Sequence, residues 1–304
     1  MKKIAVLMGG TSSEREVSLV SGTNIANALL GLGKYEVTPI DLKRESLDAL
    51  PEDVDAVYIA LHGGWGENGG VQAALNARQI PYTGPGVVAS RIAMDKIETK
   101  KALEKAGVPT APWALADRNT AESPLPLPVV VKPPCDGSSV GISKVTTADE
   151  WATKRDAALE EVEKHTSETG VILVEAFVPG REFTVGIIDG ECLPAIEIIA
   201  KGGWYGYDEK YRSNETRYEF LPPTAASLEE KLKFLAKRAY DAIGCRGVTR
   251  VDFRVSGEDD AFVLELNTSP GFTPHSLVPK AGMKTGLTFA QVCDRILSTA
   301  AFDT

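Results

Sequence analysis

Over roughly the first ninety residues, short apolar runs alternate with helical stretches: KKIAVLM, a helix from about Ser18 to Leu32, EVTPIDL, DAVYIAL and a helix near Gly70 to Arg78. Few architectures accept that order, and it reads as an open, mostly parallel sheet covered by helices. Neither of the usual nucleotide signatures of such a sheet is present. GGTSSE follows the first strand without G-x-G-x-x-G spacing. G-x-x-x-x-G-K-[ST] is also missing, since Gly33-Lys34 is followed by Tyr35 and Met283 stands before Lys284-Thr285. Any nucleotide must be held by another device.

From Ser90 the pattern changes. SRIAMDKIETKKALEKAG reads as one charged amphipathic helix stopped by Gly107 and Pro109, and a module boundary is placed there. LPLPVVVKPP predicts a buried strand, CDGSSVGISKV a Gly/Ser loop returning into a strand, TADEWATKRDAALEEVEKH an exposed helix and GVILVEAFV a strand. After Pro179-Gly180, EFTVGIID and LPAIEII lead into GGWYGYDEKYRSNETRYEF, an irregular stretch of the kind that serves as a functional loop in compact enzymes. SLEEKLKFLAKRAYDAIG predicts a helix, VTRVDFRV and AFVLELN strands, TSPGFTPHSLVPKAG a loop, and LTFAQVCDRILSTA a terminal helix.

Composition removes several function classes. Lys and Arg number 33 against 42 Asp and Glu, a net charge of −9, which gives no global attraction for nucleic acid or an anionic membrane. No apolar run is long enough to span a bilayer, and MKKIAVLMGG turns Gly/Ser-rich too early for a signal peptide, so a cytoplasmic protein without nucleic-acid or membrane partners is expected. Cys135, Cys192, Cys245 and Cys293 are far apart with no CxxC, which predicts reduced thiols rather than disulfides or zinc. Cys135, beside the Gly/Ser loop, reads as an inert side chain.

The strongest constellation is Arg250, Asp252, Glu265 and Asn267, in R-V-D-F and E-L-N. Strand alternation puts Arg250 with Asp252, and Glu265 with Asn267, on one face of each strand. A hairpin across SGEDD would bring a guanidinium and three oxygen ligands together, a set that suits Mg²⁺ with phosphate. Structural ion pairs are the alternative, but polar residues alternating within apolar strands need partners if buried. Lys96 and Lys132 form a second set; Lys132 ends an apolar strand and precedes Gly137-Ser138-Ser139-Val140-Gly141, whose N–H groups and hydroxyls can wrap phosphates. The third set is Glu14 and Ser18 at the mouth of the first helix, with His62 at a strand end in LHGGWGENG. Ligands bind outside the carboxyl ends of such strands. Helix capping would explain Ser18 equally well, and a hydrogen-bonded structural role His62.

Taken in order, GGTSSEREVSLVSG, ALHGGWGENG, MDK, VVVKP, DGSSVGISKV, REFTVGI, DEKYRSNET, RVDF and LELNTSPGFTPHSLVPKAG resemble, from end to end, the ATP-grasp D-alanine-D-alanine ligases of peptidoglycan synthesis. The resemblance implies an ATP-grasp fold of mixed α/β and α+β character: an N-terminal parallel-sheet substrate domain (1–92), a central domain (93–180) and a C-terminal domain (181–304) that grips ATP against the central one. It implies that ATP phosphorylates one D-alanine carboxylate and that the amine of a second D-alanine attacks the acyl phosphate. Cofactors would be Mg²⁺ or Mn²⁺, two ions, with a monovalent cation left open; a homodimer is implied too.

The same resemblance assigns residues. Asp252, Glu265 and Asn267 match metal ligands, with Asn267 also at ATP, and Arg250 matches the arginine that stabilises the acyl phosphate and tetrahedral intermediate. Lys96, Lys132, Ser138 and Ser139 match ATP-binding positions, as do the hinge residues Glu175, Phe177 and Val178 and the ribose-binding Glu182. Glu14 matches the residue holding the first D-alanine's ammonium, with Ser18 and His62 beside it. Ser138 with Tyr211 matches the pair that closes a mobile loop, and Lys210 a contact to ATP and substrate. Ser276 and Leu277 match the pocket for the second carboxylate, and Gly271 an oxyanion donor. The sequence departs from some members at Ala176, where they carry lysine, and at Gly206, where they carry aspartate. Retention of Tyr211 favours an amine nucleophile over the hydroxyl of D-lactate.

Overall fold

Three sheets organise the chain in the computed structural model, which describes residues 1–135, 141–164, 170–200, 215–257 and 259–303. The first consists of β1 (Lys2–Gly9), β2 (Tyr35–Leu42) and β3 (Ala56–Ile59), all parallel in the order β2-β1-β3. Central β1 is buried without interruption from Ile4 to Leu7, as a strand covered on both faces should be. Pro39 falls in β2 at the sheet edge, where a missing N–H is tolerated. Helix α1 (Arg15–Gly31) crosses from β1 to β2, and α2 (Gly70–Ala77) follows β3. Helix α1 begins three residues before the expected Ser18, with Glu14 at its N-cap position.

The stretch from Ser90 to Gly107 is two helices rather than one, α3 (Val87–Met94) and α4 (Lys96–Lys105). Asp95 separates them: its backbone is extended and its carboxylate accepts from the N–H groups of Ile97 and Glu98, capping α4. An aspartate inside a charged helical pattern was therefore the N-cap of a new helix. The second sheet is antiparallel, β4-β7-β5-β6, made of β4 (Trp113–Ala116), β5 (Val129–Lys132), β6 (Ser143–Val145) and β7 (Ile172–Ala176). Helix α5 (Ala148–Glu163) lies on it and is not fully exposed, as its charge suggests: Trp151, Arg155, Ala158 and Leu159, at i, i+4, i+7 and i+8, form a buried stripe.

The third sheet runs β11-β10-β8-β12-β13, with β9 paired to β8. Its strands are β8 (Arg181–Ile188), β9 (Glu191–Cys192), β10 (Ile196–Ile199), β11 (Arg217–Phe220), β12 (Val248–Ser256) and β13 (Asp260–Asn267). Helix α6 (Ala226–Ile243) covers one face, together with Ala89 and Ala93 of α3 and Leu103 of α4, so these two early helices share the core of the C-terminal sheet. The expected loop after β13 contains a helix, α7 (Leu277–Lys284), whose Pro279 sits in the first turn where its N–H has no intrahelical acceptor. Helix α8 (Phe289–Ser298) follows behind a Thr288–Gln291 capping box.

A single apolar core joins the first and third sheets, bringing Ile4, Val6, Ile25 and Tyr58 against Val248, Phe272, Val292 and Ile296. The last residues seal this union: Tyr82 exchanges backbone hydrogen bonds with Ala301, and Arg246 donates to the carbonyls of Tyr82, Gly84 and Ala301. Among the described residues no helix is long and apolar enough to cross a membrane, and the four cysteines form no disulfide.

Candidate active site

The hairpin expected across SGEDD exists. β12 and β13 pair antiparallel with Arg250 opposite Asn267 and Asp252 opposite Glu265, and a register shift follows at Asp252/Phe253. Asp252, 5% exposed, is held on all sides: Arg250 donates through Nε (2.9 Å) and Nη2 (2.7 Å), Asn267 through Nδ2 (3.0 Å) and Thr184 through Oγ1 (2.6 Å). Thr184 lies opposite Asp252 on β8. Sequence reasoning passed over it, although it stands two residues from Glu182 on the same strand face. Glu182 in turn meets Arg254 (3.4 Å), whose Nε donates to the Val178 carbonyl. Asp252, Glu265 and Asn267 present hard oxygen atoms that fit Mg²⁺ or Mn²⁺. Among the described residues no three His, Cys, Asp or Glu gather to hold a metal alone, so phosphate oxygens would have to complete the shell.

Across from this face lies a second ionic cluster, on the second sheet. Lys132 ends β5 and Glu175 lies on β7, one strand over; Lys132 Nζ is 2.6 Å from Glu175 Oε2. Lys100 of α4, 1% exposed, places its Nζ 2.9 Å from Glu175 Oε1. Burial pushes the Glu175 carboxyl up, but Lys132 and Lys100 outweigh it and hold it at about 2. Burial, then the neighbouring Lys132 charge, push the Lys100 ammonium down against the pull of Glu175. Lys100 is the largest omission of the sequence reading, yet it stands four residues after Lys96 and so on the same helix face. Lys96 is buried at the start of α4, and its N–H donates to the Pro134 carbonyl just beyond Lys132. Phe177 lies under Lys144, whose Nζ is 3.6 Å from the ring centroid, and its N–H donates to the Pro128 carbonyl.

The third group sits where the first sheet meets the loop after β13. His62 is buried with both ring nitrogens engaged: Nδ1 is 2.8 Å from the Ser269 carbonyl and Nε2 3.1 Å from Ser21 Oγ. Nδ1 therefore carries the proton and Nε2 accepts from Ser21, whose oxygen also receives the N–H of Phe272. Burial pushes the ring's pKa down, with Arg250 adding to that and Glu14 opposing it. Glu14 lies beside Gly63, where an added Cβ would stand 2.7 Å from its Oε2. Gly63 has φ +66, so the turn needs glycine on both counts. In the same turn, burial pushes the Glu67 carboxyl up to about 8, and repulsion from Glu14 adds to it. Glu67 was not singled out from sequence, though it is the one acid in GGWGENG.

Ser18 serves the scaffold. It is fully buried, accepts from the Gly9 N–H and donates to the Ala60 carbonyl, tying β1 to the end of β3, and its hydroxyl does not cap α1. Gly271 stands between Ser269, which holds His62, and Phe272, which is fixed by Ser21. Ser276 is the N-cap of α7 without a side-chain cap bond; its Oγ accepts from Thr273 N–H, and Leu277 opens the helix. Ser138, Ser139, Gly206, Lys210 and Tyr211 lie outside the described residues.

The arrangement joins the Arg250–Asp252 strand face to an acidic turn from far earlier in the chain, beside a lysine–glutamate cluster. A family model described as the D-ala D-ala ligase C-terminus matches residues 102–298, and one for the D-ala D-ala ligase N-terminus matches 3–50. The chain belongs to the D-alanine–D-alanine ligase family. Relatives of that family include the D-alanine–D-alanine ligases of Syntrophotalea carbinolica, 46% identical over 99% of this chain and 96% of theirs, and of Glaesserella parasuis, 43% identical over 99% and 98%. Among solved structures, the Bacillus anthracis D-alanine–D-alanine ligase complexed with ATP has a TM-score of 0.83 at 31% identity, covering 98% of this chain and 97% of that one. The VanG D-Ala:D-Ser ligase of Enterococcus faecalis also has a TM-score of 0.83, at 26% identity over 98% and 99%. Family membership accounts for the ATP-grasp architecture: two antiparallel sheets, with a parallel sheet at the N-terminus.

Proposed function

We propose that the protein joins two D-alanine molecules to D-alanyl-D-alanine at the cost of ATP, as a cytoplasmic, homodimeric enzyme supplying peptidoglycan precursors. The observation that carries this reading is that His62, next to the Gly63 turn that Glu14 flanks, is hydrogen-bonded to Ser269, two residues beyond Asn267, which lies opposite Arg250. An anionic cradle for an ammonium thus adjoins a guanidinium suited to phosphoryl oxygens. A carboxylate is a poor electrophile, so ATP first phosphorylates the carboxylate of the D-alanine held by Glu14, releasing ADP. The amine of the second D-alanine then attacks the acyl carbon and phosphate leaves.

Arg250, oriented by Asp252, neutralises charge on the transferred group and on the tetrahedral oxyanion, with the Gly271 N–H as a second donor. Lys96 and Lys132 bind ATP phosphates, Glu175, Phe177 and Val178 line the base, and Glu182 takes the ribose. Asp252, Glu265 and Asn267 would hold the divalent ions, which would supply positive charge to offset that of the transferring phosphoryl group. The N-terminus of α7 at Ser276 and Leu277 receives the second carboxylate. His62, neutral and buried, holds the loop carrying Gly271 to the first sheet and positions rather than reacts.

ADP release and product mass, measured with Mg²⁺-ATP and D-alanine, L-alanine, or D-alanine with D-serine or D-lactate, test the reading. D-Alanyl-D-alanine from D-alanine alone is expected. Turnover only with a different second substrate would reassign the Ser276–Leu277 pocket, and no ADP above background would reject the activity.

A further inference from the structure

We infer that Lys100 is a positioning residue: it is the fixed counter-charge of Glu175, and it thereby releases Lys132 to engage a phosphate oxygen of ATP. This rests on the reading that Lys132 contacts the nucleotide. The two lysines flank one carboxylate but are not equivalent. Lys100 is 1% exposed, and its Nζ is further committed to Thr110 Oγ1 (2.5 Å) and the Ala111 carbonyl (3.3 Å). Thr110 Oγ1 in turn donates to the Val263 carbonyl of β13, two residues before Glu265. The Lys100 ammonium is therefore anchored from both antiparallel sheets and has nowhere to go.

Lys132 is placed differently. It is the last residue of β5, its side chain is 11% exposed, and Glu175 is its one hydrogen-bond partner among the described residues. An ammonium has three donors, so two remain for a ligand. If Lys132 turned toward a phosphate and Glu175 had no other cation, a carboxylate 2% exposed would be left uncompensated, which is strongly unfavourable. Lys100 removes that penalty. Two cations on one anion leave the cluster with one surplus positive charge, the sign a polyphosphate needs.

Binding of Mg²⁺-ATP to the full-length protein, measured by calorimetry, tests the proposal through a double-mutant cycle. Lys100→Met should weaken ATP binding at least tenfold. With the buried anion also removed, the same change should matter little: Glu175→Gln/Lys100→Met should bind ATP within threefold of Glu175→Gln. A purely packing role for Lys100 would cost the same factor in both backgrounds and would overturn the proposal. If Lys100→Met alone does not fold, the second comparison decides: parity within threefold supports the proposal, and a larger loss or an insoluble double variant overturns it. Lys132→Met separates the two layers, because unchanged ATP affinity there would reject the underlying reading of Lys132 and not the pairing of Lys100 with Glu175.

Discussion

Asp252 and Glu175 are both nearly buried carboxylates, 5% and 2% exposed, and they are satisfied in opposite ways. Asp252 is held by a forked guanidinium, a carboxamide and a hydroxyl, all projecting from three adjacent strands of one ladder. Glu175 is held by two ammonium groups at the ends of flexible stems, one from a helix and one from a strand end. Directional partners fix where the carboxylate oxygens lie, which is what alignment of a transferring phosphoryl group requires. Point charges fix the balance of charge and leave one partner exchangeable. The contrast suits a fixed chemical face and an adaptable nucleotide-binding face.

The most severe way to probe the contrast is Arg250→Ala, expected to lower kcat by about 10³–10⁵-fold while raising the KM for ATP far less. A near-native rate of ADP release would remove Arg250 from the chemistry. Next, Glu175→Leu should cost about 3–5 kcal/mol of stability in urea unfolding, because it strands two buried ammonium groups. Thr184→Val, which takes one hydroxyl from Asp252, should cost only about 1–3 kcal/mol. Equal losses would mean that the two clusters are not different in kind. Conservative exchange sharpens the point further: Arg250→Lys loses the fork and should reduce kcat by about 10²-fold, whereas Lys132→Arg keeps the positive charge and should change the KM for ATP by less than about tenfold.

The smallest expected effect is a pH slope. Glu175 titrates at about 2 in the fold against 4.5 in a free chain, so between those values the unfolded chain binds the proton and the folded one does not. Stability contributed by Glu175 is therefore complete above pH 4.5 and is lost as the pH falls toward 2. Thermal unfolding of Glu175→Gln should show a flatter acid limb than the parent; an identical limb would place the ionic stabilisation elsewhere.

The two clusters also differ in how far sequence alone reveals them. Arg250 with Asp252, and Glu265 with Asn267, are two residues apart on strands joined by a short turn, so alternation and one hairpin suffice to assemble them. Lys100 meets Glu175 only because α4 packs where two sheets adjoin, a contact that no local period encodes. The same limit explains Ser18 and Glu67. Nothing in the spacing says that the first hydroxyl turns inward to join β1 to the end of β3, or that the second group comes close enough to Glu14 for the two carboxylates to repel. The Asp95 break was hidden because a capping aspartate inside a charged stretch looks like one more surface residue.

The seal made by Ala301 carries a consequence for the order of events in the cell. Val57 of β3 bridges Tyr82 in parallel, and Tyr82 bridges Ala301 in the opposite sense, so the sheet built from residues 2–59 is completed by a residue far later in the chain. Asp303 then accepts the N–H of Val87 at the start of α3. Roughly 220 residues must be synthesised between the two halves of that seam, on the order of 10–40 s at ordinary elongation rates. Throughout that interval the edge of the N-terminal sheet that Ala301 covers keeps the Tyr82 backbone groups without that partner.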